Sequence, residues 1–185
     1  PFNKMTNAAV LLIDMESSQL ERDTPVQIEH QTTVLQAFSQ LPQIVLEFYP
    51  LSNPNYNKPR TLGVLRSALS EQAIFIWKDH EDGFSGTVFH GRRPFSRNFF
   101  TNVSLEAHLE KLHTSDLIIM GYHRDFCVSA TTESAINHGY SVHTSSDILC
   151  ANNHDIKDIS RHRVYARNHQ VRLYSSATKL IEALT

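Results

Sequence analysis

Cysteine is scarce in this chain: only Cys127 and Cys150 occur among its 185 residues. Two thiols cannot build the multi-bridge framework of a small secreted domain, and their scarcity points to a reducing interior. No apolar run approaches the ~18 residues that a membrane-spanning helix needs. The opening residues Pro1 to Thr6 (PFNKMT) lack the apolar stretch of a secretory leader. Charge of one sign is missing as well: 17 Lys and Arg stand against 19 Asp and Glu, a net charge of −2. Without a basic stripe, nucleic acid is not an expected partner. There is no internal repeat, low-complexity tract or linker.

What is present is the balance of a packed protein, 41% hydrophobic and 19% charged. The length fits one domain, residues 1–185, able to bury a core without disulfides or metals. The expectation is a compact cytoplasmic domain with no membrane contact.

Apolar runs alternate with amphipathic stretches along the whole chain. Ala8–Ile13, Ile44–Phe48, Ala73–Trp77 and Asp116–Met120 read as strands, with Ser141–Thr144 and Gln170–Tyr174 as weaker ones. Unbroken apolar runs suit strands covered on both faces, as in a parallel sheet. Between them Gln27–Leu41, Thr61–Leu69, Leu105–Leu112, Val128–His138 and Ser176–Leu184 show helical spacing. Ser104 is placed to cap the third of these and Gly139 to end the fourth. Alternating strands and helices predict a three-layer α/β/α fold around a doubly wound, mainly parallel six-stranded sheet. Such folds bind ligands at the carboxyl ends of their strands. Two connections, Pro50–Arg60 and Asp79–Val103, are long enough to be lids or pocket walls.

Three reactive residues sit at or beside strand ends: Asp14 after the first, Lys78 after AIFIW, and Cys127 where a helix begins. Separately, each has an ordinary reading as a turn residue, a solvated cation and a small core residue. Together they form a base, a cation and a nucleophile, a sufficient set for covalent acyl transfer. A helix N-terminus also favours thiolate over thiol.

The segments AAVLLIDME, WKDHEDGFSGT and LIIMGYHRDFCVSATTESAINHGYSVHTSSD resemble the isochorismatase-like cysteine hydrolases, which include the nicotinamidases. Asp14, Lys78 and Cys127 fall on that family's three catalytic positions in order, and Phe84 to Thr87 and Gly139-Tyr140 match its flanking segments. The resemblance covers nearly the whole chain. It implies a hydrolase cleaving an amide or other C–N bond through a thioester on Cys127. Asp14 would be general base and then acid, and Lys78 would stabilise the thiolate and orient Asp14. It also implies an oxyanion hole from the amides of His123 and Cys127, with a cis peptide between Tyr122 and His123.

Departures from the family pattern narrow the reading. Nicotinamidases carry an Asp-x-His metal motif after the second strand, whereas this chain continues LEFYPLSNPNYNKP. His80, His90, His154, His162 and His169 have no compact ligand spacing. No metal and no cofactor are therefore expected, and nicotinamide is a poor candidate substrate. Glu16 and Gln19 replace the family's usual glutamine and aromatic residue, making the wall beside Asp14 more polar. Arg124 replaces a threonine and is placed to pair with Asp125 or with a substrate anion. Phe48, Tyr49, Phe84, Tyr122 and Phe126 complete the expected pocket for a small-molecule substrate. Cys150 matches no catalytic position.

The segment Asp79–Val103 is unusually aromatic and basic, with Phe84, Phe89, Phe95, Phe99, Phe100, Arg92, Arg93 and Arg97. That composition favours a subunit contact in a homo-oligomer, dimer or tetramer, over a substrate lid. Two other functions stay open: hydrolysis of an isochorismate-like ether, and a scaffold that binds a ligand or protein without turnover.

Overall fold

The computed structural model describes residues 5–16, 25–49, 61–85, 88–91, 101–102, 104–152, 158–159 and 162–185. Strand β1 (Ala8–Ile13) lies between β2 (Gln43–Phe48) and β6 (Asp116–Tyr122), parallel to both. Beyond β2 comes β3 (Ile74–Lys78), and beyond β6 come β7 (Ser141–Ser145) and β9 (Val171–Tyr174), again parallel. These are the six expected strands, in the order β3-β2-β1-β6-β7-β9.

Three short strands extend the sheet beyond expectation. β4 (Val88–Gly91) and β5 (Thr101–Asn102) continue it antiparallel past β3, so the segment read as a long loop also carries sheet. β8 (Leu149–Cys150) pairs with the end of β6. The aromatics Phe95, Phe99 and Phe100, the arginines at 92, 93 and 97, Gln19, His154 and the Pro50–Arg60 connection lie outside the described residues.

The alternation of each strand assigns its side chains to two cores. Ala9, Leu11 and Ile13 of β1 face one side, with Leu117 and Ile119 of β6. Helices α3 (Leu105–Lys111), α4 (Ser129–Asn137) and α5 (Arg163–Arg167) supply Leu105, Leu109, Ala135 and Val164 to that side. Val10, Leu12, Ile118 and Met120 face the other side. There α1 (Pro25–Ala37), α2 (Gly63–Ala68) and α6 (Ala177–Leu184) bring Val34, Leu35, Leu65 and Leu180. This two-sided burial is why the strand runs are continuously apolar.

The caps follow local chemistry. Ser104 Oγ accepts from the Ala107 amide at 3.1 Å, and Gly139 takes φ +88° just past α4. Among the described residues no helix is long and apolar enough to cross a membrane.

The direction in which strands are added reverses at the parallel β1–β6 pair: β2 and β3 follow on one side of β1, while β6, β7 and β9 lie on the other. The crevice at the carboxyl ends of β1 and β6 is therefore the topological switch point, where doubly wound folds place ligands. Gly121 makes that approach possible. It pairs with Ile13 and has φ +140°, and a Cβ there would lie 2.1 Å from the Ile13 carbonyl oxygen.

Candidate active site

β1 ends in Asp14, which turns out of the strand at φ +50° and is fully buried. β3 ends in Lys78, the largest fully buried side chain among the described residues, whose Nζ donates to Asp14 Oδ2 at 2.8 Å. The same ammonium donates to the carbonyls of His80 at 3.0 Å and Glu81 at 3.3 Å. It also stands 5.3 Å from the centre of the Phe48 ring. A lysine with no exposure needs this number of acceptors, since a bare buried ammonium would lose its charge.

Beyond β6 the chain enters a π-helical turn, Arg124–Val128, before α4 begins at Ser129. Cys127 therefore sits in the turn that leads into the helix, where the sequence pointed to the first α-helical turn. It is half-buried, and its thiol lies beside the Asp14 carboxyl, close enough for the two groups to perturb each other. The structure thus joins Lys78, Asp14 and Cys127 in one line, although Lys78 and Asp14 are 64 residues apart.

The surroundings of Cys127 favour the thiol, against the thiolate that a helix N-terminus alone would favour. Burial and the adjacent Asp14 charge push Cys127 up to about 12, against the opposing pull of Lys78. Asp14 is raised as well, by burial above all, while the Lys78 ammonium opposes the shift. Both effects favour a proton held between Cys127 and Asp14. Lys78 acts on the carboxylate, with which it makes direct contact, more than on the sulfur.

The Tyr122–His123 peptide is cis, immediately before the turn that carries Cys127. His123 is buried and its ring lies 4.7 Å from that of Phe126. The His123 carbonyl accepts from the amides of Phe126 and Val128, which winds the turn so that Cys127 faces Asp14. Arg124 is buried and pairs with Asp125 at 2.6 Å, the first of its two expected partners. The Tyr165 hydroxyl donates to the Arg124 carbonyl at 2.9 Å, fixing the outer side of the turn.

The expected pocket residues divide. Glu16 is buried beside Asp14, and Phe48 faces the Lys78 ammonium. Tyr49 packs 5.0 Å from the Trp77 ring, and the Tyr122 hydroxyl donates to Asn152 at 2.6 Å. Phe126 is 55% exposed next to Cys127. Phe84 departs from the expectation. Its ring stacks on His138 at 4.9 Å and leans on Tyr140, at the far end of α4 from Cys127. Its apolar surface is spent on helix packing instead of on the pocket. Cys150 is buried under Gln31 with no part in this site.

Two residues that the sequence reading passed over hold the site together. Glu47 is fully buried on β2; its carboxylate accepts from the Thr61 amide and hydroxyl and from the Trp77 indole N–H. The signal was a single glutamate inside the apolar run IVLEF. Asp82 accepts from the Phe84 amide, the Ser85 hydroxyl at 2.7 Å and the Ser134 hydroxyl at 2.6 Å. Together with the Gly83 amide on Thr131, it pins the loop after β3 to the helix after Cys127. Its signal was the turn sequence Asp-Gly-Phe-Ser. Among the described residues no group of His, Cys, Asp and Glu is arranged to hold a metal ion.

A doubly wound α/β protein with Asp, Lys and Cys converging at its switch point is what the fold and site define. Residues 66–174, more than half of the chain, match the isochorismatase domain, and the chain belongs to that family. No curated protein matches it. Among solved structures it is similar to N-carbamoylsarcosine amidase from Thermoplasma acidophilum, at 16% identity and TM-score 0.69, covering 90% of this chain and 95% of that one. It is also similar to a cysteine hydrolase from Pseudomonas syringae pv. phaseolicola, at 15% identity and TM-score 0.69, with coverage of 96% and 92%. A third likeness is the MAR1 ribonuclease of Caenorhabditis elegans, at 17% identity and TM-score 0.66, with coverage of 98% and 82%. At such identities the three speak for the shared fold alone.

Proposed function

We propose that this protein is a cysteine hydrolase that cleaves an amide or other C–N bond of a small molecule. The observation that carries the reading is the Lys78 Nζ contact with the Asp14 carboxylate, with the Cys127 thiol beside that carboxylate, at the fold's ligand-binding end. Asp14 takes the Cys127 proton as Sγ attacks the substrate carbonyl carbon. The tetrahedral oxyanion is received by the backbone amides of His123 and Cys127. As the C–N bond breaks, Asp14 gives its proton to the leaving nitrogen, and a thioester on Cys127 remains. Water then attacks that carbonyl with Asp14 as base, and Sγ leaves and regains its proton. Because the resting sulfur is a thiol, proton transfer and attack are coupled. Lys78 balances the Asp14 charge while that carboxylate waits for the proton.

The N-carbamoylsarcosine amidase likeness fits a C–N substrate. The reading keeps a homo-oligomer and a cytoplasmic setting as its context. Its test is a brief, limiting dose of iodoacetamide near neutral pH, read by intact mass, with Cys127→Ala as control. Cys127 should alkylate well ahead of Cys150, and a panel of small amides should then release ammonia from the parent chain alone. Equal reactivity of the two cysteines would sink the nucleophile assignment and leave the binding scaffold as the better account.

A further inference from the structure

Three carboxyl groups and one ammonium are buried together at the carboxyl end of the sheet. Asp14, Glu16, Glu47 and Lys78 are each 1% exposed or less. Lys78 is committed to Asp14 and to two loop carbonyls, and Glu47 is met by three neutral donors. Glu16 is provided for differently. Its Oε1 accepts from the Phe48 amide at 2.8 Å, while its buried Oε2 meets no donor among the described residues. Its own amide donates to the Asp14 carbonyl at 2.9 Å, and its backbone bridges to Thr61. Glu16 is thus fastened to the residue that carries the base.

We propose that Glu16 is a positioning residue for that base: a carboxyl that rests protonated and, once ionised, strengthens Asp14 as acceptor of the Cys127 proton. The inference rests on the proposed roles of Asp14 and Cys127. A buried carboxyl with one amide donor and no cation of its own keeps its proton. Among the described residues the titratable groups facing it are Asp14 beyond β1, Glu47 on β2 and Lys78 on β3, of which Lys78 is the positive one. Burial first, and then the Asp14 charge, push Glu16 up to about 8.

Above that pH a second negative charge stands beside Asp14 and makes a proton on Asp14 more favourable. Transfer from Cys127 neutralises Asp14 and moves the negative charge to Sγ, relieving the repulsion. Ionised Glu16 therefore assists the transfer.

The test measures the alkylation rate of Cys127 by iodoacetamide from about pH 6 to about pH 10 in the parent and in Glu16→Gln, which retains an acceptor for the Phe48 amide. The parent-to-variant ratio should rise severalfold through the region near pH 8, where Glu16 ionises in the parent alone. A flat ratio, with Cys127 still ahead of Cys150 in both proteins, overturns the role of Glu16 and leaves the nucleophile intact. Cys127 no faster than Cys150 in either protein removes the proposed function and this inference with it. Should Glu16→Gln fail to fold, the parent decides alone. There the Cys127 rate relative to Cys150 either climbs through the same step or stays parallel, and the second result overturns the proposal.

Discussion

Replacing Lys78 with methionine separates what the buried ion pair does for folding from what it does for chemistry. In the parent, an ammonium and a carboxylate, both with no exposure, meet at 2.8 Å. Removing one partner of such a pair strands the other charge and costs about 3–5 kcal/mol. That is a large share of the about 5–15 kcal/mol by which proteins of this kind are stable. In urea it corresponds to a midpoint lowered by about 1–2 M.

The loss is pH-dependent, with a definite sign. Burial already holds Asp14 above the usual carboxylate range, and without Lys78 the opposing influence disappears. A group with a raised folded pKa contributes its stability in full below the unfolded value and loses it as pH rises. Lys78→Met should therefore be least destabilised under acid conditions and progressively worse toward neutrality. The double variant Asp14→Asn with Lys78→Met removes both charges and should recover most of the lost stability without recovering activity. Urea midpoints of the four proteins at two pH values complete the cycle. If the single and double variants are equally unstable, the two charges are not coupled and the account of the site is wrong.

Gly121→Ala should prevent correct closure of β1 on β6, because its Cβ would meet the Ile13 carbonyl at 2.1 Å; soluble yield and circular dichroism report this. Asp82→Ala frees the loop whose carbonyls hold Lys78, so amide hydrolysis should fall more steeply than stability, which should drop by about 1–3 kcal/mol. Glu16, raised from 4.5 to about 8, contributes stability present in full below about 4.5 and lost as pH rises through about 8; thermal melts of Glu16→Gln should lack that decline. Tyr165→Phe removes the donor to the Arg124 carbonyl and should cost about 1–2 kcal/mol, measured by urea unfolding.

Much of the architecture was legible because strand burial and helix spacing are local properties. AAVLLI, IVLEF and DLIIM could be recognised as two-sided strands before any partner was known, and all three lie in the sheet. The antiparallel strands β4 and β5 were not visible, since four and two residues inside an aromatic and basic segment give no usable period. The site divides in the same way. The family match spans residues 66–174 and leaves out Asp14, which the strand-end argument nevertheless located. Phe84 covers the far end of α4, which the sequence did not show because an aromatic residue in the loop after Lys78 does not reveal which end of that helix it will meet.

Residue order alone determined which side chains stand at the strand ends: a β-run must stop, and Asp14 and Lys78 are the polar residues at which two of them stop. It also supplied the motif that singles out Cys127. Protonation was decided only in three dimensions. Whether Cys127 rests as thiol or thiolate, and whether Glu16 holds its proton, depends on how many charges and donors share a space without water. That count sums contributions from four separate segments: the ends of β1, β2 and β3 and the turn after β6. Desolvation and Coulomb interactions act through space, so no reading along the chain can perform that sum.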